Sequence, residues 1–301
     1  MNALAEITGV AGISESYAEV NGIRLHYVEA GEGPLVVLLH GFPEFWYSWR
    51  HQIPALADAG YHVVAPDMRG YNLSDKPKGW RQYDADPLAD DIAALIRQFG
   101  VEKAHVIGHD WGAAVGYLTA MQHPDVVDRL AILNVPHPER MLAGLRTVRQ
   151  LRKSWYMFFV QLPWLPEAMV RRNDFAWGKH IFRADAPGAF SDEDLARYTE
   201  AWSQPGAVTS MLNYYRAALR QSPRKALERM SPIDAPVLVI WGERDRALGS
   251  ELAEPDRKMV PNARVERLPQ ATHWVQHDAP ERVNELLIEF LGAAHLAMSG
   301  D

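Results

Sequence analysis

The sequence contains no cysteine. That single absence excludes a disulfide, a thiol nucleophile and a thiolate metal site. It also fits a cytoplasmic location, which is the expectation here. No run approaches the ~20 apolar residues that a membrane span requires, so no membrane partner is expected. The opening stretch MNALAEITGVAGISESYAEV lacks a basic region followed by a long apolar one and does not read as a signal peptide. Positive charge is not in excess: 31 Lys and Arg against 38 Asp and Glu leave a net charge of −7. Mild acidity argues against a nucleic-acid or anionic-membrane partner. Internal repeats and low-complexity tracts are missing too. No metal-ligand cluster is evident, and neither a metal nor an organic cofactor is expected.

What is present is enough for one large core, or a core with a smaller domain. Of 301 residues, 48% are apolar and 23% charged, which excludes wholesale disorder. IRLHYVEAGEG, residues 23–33, alternates and ends in glycine, which predicts an exposed strand. PLVVLLHG (34–41) is continuously apolar and branched, as a strand buried on both faces must be. YHVVAPDMRG (61–70) and AHVIGHD (104–110) repeat that pattern. Between them Leu88, Ile92, Leu95, Ile96 and Phe99 recur at helical spacing. WGAAVGYLTAMQHP predicts a helix up to Pro124, and VDRLAILNV a further strand.

The alternation then stops. From 136 to 230 no buried strand is evident, and Ser191 with Asp194 forms a capping box before LARYTEAW. This stretch holds thirteen of the thirty aromatics, which predicts a helical cap whose inner face lines an apolar cavity. Strands return with APVLVIWGERD (235–245) and ARVERLP (263–269). Asp278 and Glu281 are placed to cap a last helix carrying Val283, Leu286, Leu287, Phe290 and Leu291 on one side. The fold class expected is α/β: a mostly parallel central sheet with helices on both faces and a helical cap. The core would comprise residues 1–135 and 231–301, and the cap residues 136–230. Two charged stretches carry bland expectations. In PDMRGYNLSDKP, Arg69 and Asp75 should anchor backbone, and LRTVRQLRKS (145–154) should be a solvated face.

GHDWGA (108–113) lies between a predicted buried strand and a predicted helix. Gly108 and Gly112 flank Asp110 at two residues each way, the small-neighbour pattern of a nucleophile elbow, with aspartate where a serine hydrolase has serine. The N-terminus of the following helix points at the carboxylate. Late in the chain ATHWVQHD supplies a base. His273 is preferred because it comes first after the last strand, and His277 is expected at the surface or as a cap. VLVIWGERD supplies an acid, Asp245, with Glu243 as rival. The order Asp110, Asp245, His273 is that of the α/β-hydrolases. HGFPEFWYSWRHQ (40–52) closes the first buried strand, and oxyanion N–H groups are expected from Phe42 and Trp111.

Taken together, the chain resembles the epoxide hydrolases of the α/β-hydrolase fold. HGFPEFWYSWRHQ, GHDWGA and LNYYRAALR carry the likeness, which extends from about Ile23 to Leu291. The resemblance implies Asp110 as nucleophile, His273 as base and Asp245 as the acid that orients it. It also implies two cap tyrosines on the epoxide oxygen. Tyr215 in NYYR matches one, and Tyr156 in KSWYMFF matches the other more loosely. Glu44 of HGFPE is similar to a glutamate implicated in handling the hydrolytic water, and His109 is expected in the same water and proton network.

The chemistry fits these residue types. An aspartate displacing a leaving group at an sp³ carbon forms an ester, which water can reopen at the carbonyl. A serine would leave a stable ether there. An epoxide oxygen departs as an alkoxide and needs a donor, which two phenols supply. The main alternative is a haloalkane or haloacid dehalogenase using the same triad. Against it, Phe42 stands where haloalkane dehalogenases carry a halide-binding Asn, and Trp111 where fluoroacetate dehalogenases carry Arg. A third reading is a non-catalytic binding protein of this fold. The expected partners are water and a small apolar epoxide, aryl-substituted ones included, with turnover in detoxification. A homodimer is carried as the oligomeric expectation.

Overall fold

The computed structural model describes residues 4, 5, 10 and 12–292. Among them one sheet has eight strands: β1 (Ser14–Val20), β2 (Ile23–Ala30), β3 (Leu35–Leu39), β4 (His62–Pro66), β5 (Ala104–His109), β6 (Val127–Leu133), β7 (Val237–Gly242) and β8 (Ala263–Leu268). Their spatial order is β1-β2-β4-β3-β5-β6-β7-β8. The β1–β2 and β2–β4 pairs are antiparallel, and the pairs from β4 to β8 are parallel. β3 and β7 are buried along their whole length, as their unbroken apolar runs require.

The stretch predicted as an exposed strand, β2, is interior to the sheet. The edge on that side is β1, whose sequence SESYAEV is exposed at its first four positions and buried only at Ala18 and Val20. Helices α1 (Gln52–Asp58), α2 (Ala85–Gln98) and α3 (Trp111–Gln122) follow β3, β4 and β5. After β6 comes a helical insertion: α4 (Pro138–Gly144), α5 (Val148–Lys153), α6 (Trp155–Phe159), α7 (Leu165–Asp185), α8 (Asp192–Ser203), α9 (Ala207–Arg220) and α10 (Pro223–Glu228). The Ser191–Asp194 capping box opens α8 as the sequence predicts. The chain closes with α11 (Val275–Asp278) and α12 (Pro280–Leu291).

Asp278 and Glu281 do not cap the last helix. Its N-cap is Ala279, with no side-chain cap bond and Pro280 in the first turn. Asp278 instead accepts from the Thr272 N–H at 2.7 Å and the Thr272 hydroxyl at 2.5 Å, which tightens the turn just before His273. Arg69 does not hold backbone with its side chain. It forks onto Asp91, at 2.6 and 2.7 Å. Asp75 does anchor backbone, accepting from the Arg24 N–H at 2.9 Å.

The insertion is tied down where the site lies. Tyr214 on α9 donates to the Arg69 carbonyl at 2.7 Å, and Trp202 on α8 donates to the Pro43 carbonyl at 2.5 Å. Residues 145–154 are not solvated throughout. Gln150 is buried, and Lys153 donates to the carbonyls of Asp245 and Leu248 at 3.0 and 3.1 Å.

Candidate active site

Asp110 sits between the last residue of β5 and the first of α3, with φ +48° and ψ −122°. That left-handed backbone is strained for a non-glycine residue, at a cost of about 1–3 kcal/mol. Its neighbours must be small. A Cβ on Gly108 would lie 2.5 Å from the Gly112 carbonyl oxygen, and one on Gly112 would lie 2.1 Å from that of Leu39. The turn therefore lifts Asp110 out of the sheet at the C-terminal ends of the parallel strands, where sites of this architecture form. The Phe42 N–H donates to Asp110 Oδ1 at 2.8 Å. Trp111 opens α3, so its N–H has no partner four residues back.

His273 lies between two carboxylates. Its Nε2 is 3.3 Å from Asp110 Oδ2, and its Nδ1 is 2.7 Å from Asp245 Oδ2. Asp245 is fixed by further donors: the N–H groups of Ala247 and Leu248 on Oδ1 at 2.7 and 2.8 Å, and Asn134 Nδ2 on Oδ2 at 2.9 Å. Burial pushes both carboxyls up, but the adjacent imidazole outweighs it and holds Asp110 and Asp245 below the ordinary range. Burial alone would lower His273. The charges of Asp245 and Asp110 and their hydrogen bonds win and raise it well above 6.5. Glu243, the rival acid, pairs on the surface with Arg267 at 3.4 Å.

A cavity of about 270 Å³ opens over Asp110. Its walls are mostly apolar, with Leu118, Met141, Leu145, Met157 and Leu219 among them. Tyr156 and Tyr215 face into it together with Trp111. The Tyr215 ring stands edge-on to Phe42, Trp111 and Tyr156, with centroids at 5.2, 5.0 and 5.6 Å. Burial, with the Asp110 charge next, raises both phenols well above 10, so each keeps its proton at neutral pH. Both Tyr214 and Tyr215 of α9 line the cavity, but the Tyr214 hydroxyl is engaged by the Arg69 carbonyl. Arg216 fixes the segment after α6, donating to the carbonyls of Val160 and Leu162 at 2.9 and 3.0 Å while forking onto Glu167. The two tyrosines thus hang from one brace.

Glu44 does not line the cavity. It is 1% exposed, and its oxygens are taken by the Gly41 N–H, His109 Nδ1, Gln276 Nε2 and His277 Nε2 at 3.2, 2.7, 3.3 and 2.9 Å. Its route to His273 is indirect: His109 Nε2 is 2.9 Å from the His273 carbonyl oxygen. His277 is neither at the surface nor a cap. It is buried, accepts from Arg50 at 3.1 Å, and burial pushes its pKa down to about 4. The one-turn spacing from His273 gives no hint of this, because Glu44 comes from a distant loop. Among the described residues, no group of three or more His, Asp and Glu is arranged to hold a metal ion.

The alpha/beta hydrolase fold family matches residues 34–280 of this sequence. The AB hydrolase superfamily protein YfhM of Bacillus subtilis (strain 168) is 47% identical over 93% of this chain and 98% of its own. Human epoxide hydrolase 4 is 41% identical over 90% of this chain and 76% of its own. The chain belongs to the epoxide hydrolases of the α/β-hydrolase fold. A solved epoxide hydrolase from Bacillus megaterium superposes with a TM-score of 0.84 at 35% identity, covering 92% of this chain and 99% of that one. A second variant of that Bacillus enzyme, complexed with its naphthyloxy-propane-diol product, gives 0.83 at 36%, with the same coverage of each chain.

Three residues of this epoxide hydrolase relative escape the sequence reading. Asn134, with φ +51°, bridges Asp245 and the Gly242 N–H, the latter at 2.8 Å. An Asn directly after a buried strand, at a left-handed position, is the only local signal. Arg216 was visible within NYYR, but its target loop was not. Lys153 reaches the Asp245 loop from a stretch whose charge reads as solvated.

Proposed function

We propose that the enzyme hydrolyses apolar epoxides to vicinal diols through a covalent ester on Asp110. The observation that carries this reading is one arrangement: a carboxylate at a strained elbow, backed by a His–Asp pair and faced across an apolar cavity by two protonated phenols. Asp110 Oδ2 attacks a ring carbon of the epoxide. The C–O bond breaks, and its electron pair goes to the epoxide oxygen, which takes a proton from Tyr215 or Tyr156. His273 then removes a proton from water, and the hydroxide adds to the Asp110 carbonyl carbon. The Phe42 and Trp111 N–H groups receive the developing oxyanion. Collapse expels the diol as the imidazolium gives its proton to the leaving oxygen, and the proton left on the regenerated Asp110 carboxyl returns to the phenolate, restoring Asp110, His273 and the tyrosine. Asp245 holds the tautomer and balances the imidazolium. Glu44 and His109 act behind the His273 loop as positioning residues. An aryl-substituted substrate suits the walls, and the Bacillus enzyme's naphthyloxy product supports that size class. A cytoplasmic setting and a homodimer belong to the same reading, and cell fractionation and sedimentation velocity test them.

Purified enzyme assayed against a panel of epoxides and haloalkanes, with diol and halide read together, should give diol. Halide release without diol across the panel would replace this reading with dehalogenation. In H273Q, intact-mass analysis after substrate addition should show an adduct equal to the substrate mass on Asp110. Its appearance on any other residue removes Asp110 as nucleophile.

A further inference from the structure

The net charge of −7 conceals a strongly asymmetric segment. Residues 140–166 contain five cations (Arg140, Arg146, Arg149, Arg152 and Lys153) and no acid. The same segment carries most of the chain's exposed apolar bulk. Ten large apolar side chains are exposed among the described residues, and seven of them fall between Val148 and Leu165. They include Val148, Leu151, Trp155, Phe158, Leu162 and Trp164, with Trp155 58% and Trp164 74% exposed. Single exposed apolar residues need no account, but a run of this density marks an interaction surface.

From this we propose that the outer face of α5, α6 and the loop into α7 seats the enzyme on an anionic lipid bilayer. Three observations select that occupant. Indole and phenyl groups flanked by guanidinium are the composition that lies at headgroup depth, rings toward the acyl chains and cations toward phosphate. The guanidinium groups of Arg146 and Arg152 make no hydrogen bond or ion pair among the described residues, while that of Arg149 is 3.5 Å from Glu251. A second copy meeting this face across a two-fold axis would oppose the same cations to themselves, which an isologous contact does not favour. The face also sits against the cavity: Tyr156 and Met157 of α6 line it, between the exposed Trp155 and Phe158. A bilayer on this face would stand beside the cavity wall formed by α6, and the apolar compounds that suit the walls partition into bilayers. The expectation of no membrane partner came from the lack of a spanning apolar run and from total charge; a surface-seated segment needs no span, and total charge averages this one away. The proposal concerns binding and does not rest on the chemistry given above.

The full chain is sedimented with sucrose-loaded vesicles of phosphatidylcholine alone or of phosphatidylcholine with phosphatidylglycerol. It should pellet with the mixed vesicles, be released by salt as screening shortens, and show a blue-shifted tryptophan emission. W155S/W164S and R146E/R152E should each lower the bound fraction at least about ten-fold, since each basic residue near such a surface contributes roughly five-fold. Melting curves check that both variants fold, and the wild-type contrast between the two vesicle types stands without them. No pelleting with mixed vesicles, equal pelleting with both, or binding unchanged in both variants would overturn the proposal. So would a dimer in sedimentation velocity that W155S/W164S abolishes while vesicles bind nothing, which would give the face to a second copy.

Discussion

His273 serves two carboxylates, and only one of them survives the first step in the proposed mechanism. In the free enzyme Asp245 and Asp110 together raise the imidazole well above 6.5, which favours its protonated form and disfavours it as a base. Esterification makes Asp110 neutral. The imidazole then loses one anion and its pKa falls, which readies it to take a proton from water. The sign follows directly: hydrolysis of the ester should rise with pH to a plateau whose midpoint lies below the free-enzyme titration of His273. Alkylation, which needs Asp110 ionised, should stay flat through the neutral range because the pKa of Asp110 is held below 3.8. Single-turnover kinetics and NMR titration of the histidine measure the two midpoints, and coincidence of the two would refute the account. D245N should slow hydrolysis by about 10³–10⁴-fold through the wrong tautomer. It should leave alkylation nearly intact, so the adduct accumulates.

At the scale of elements, the tyrosines depend on α9. Two phenols share the developing alkoxide in the proposed mechanism, so losing one is partly tolerated. Y215F and Y156F should each slow alkylation by about ten- to a thousand-fold, and the double variant should nearly stop it. Ester hydrolysis should change much less, since that step uses His273 and backbone N–H groups. Stopped-flow tryptophan fluorescence separates the steps, and unchanged alkylation in both folded single variants would remove the tyrosines from the reaction. The buried strands and the elbow were legible because their signals are local: an unbroken apolar run, or two glycines beside an aspartate. β1 was not, because an edge strand with polar side chains at most positions has no apolar period to read. The buried place of His277 was not legible either, since it is set by Glu44 and Arg50, more than two hundred residues away. Asn134 belongs to the same class: its partners are on β7 and the loop beyond.

For the whole molecule, Arg69 and Asp91 form the junction that joins separate parts of the chain. Arg69 lies in the loop after β4 and its carbonyl accepts from Tyr214 of the helical insertion. Asp91 lies on α2 and also accepts from Asn21 in the β1–β2 turn at 3.0 Å. Both charges are buried, at 4% and 2% exposure. A buried pair adds little net stability over an apolar replacement, but removing one partner strands the other charge at a cost of about 3–5 kcal/mol. R69M keeps the stem and removes the charge, so it should lower stability by that order and the melting temperature by roughly 6–20 °C. Burial already raises the Asp91 carboxyl even with Arg69 present, and without the guanidinium it must rise further. The deficit is therefore fully present above the folded-state pKa of Asp91, and it shrinks as falling pH protonates that carboxyl toward its unfolded value. R69M/D91L, which leaves no stranded charge, should recover most of the loss at neutral pH. Urea unfolding of the three proteins across pH measures this. A deficit in R69M that is independent of pH, or a double variant no more stable than the single, would show that Arg69 acts by packing rather than by charge.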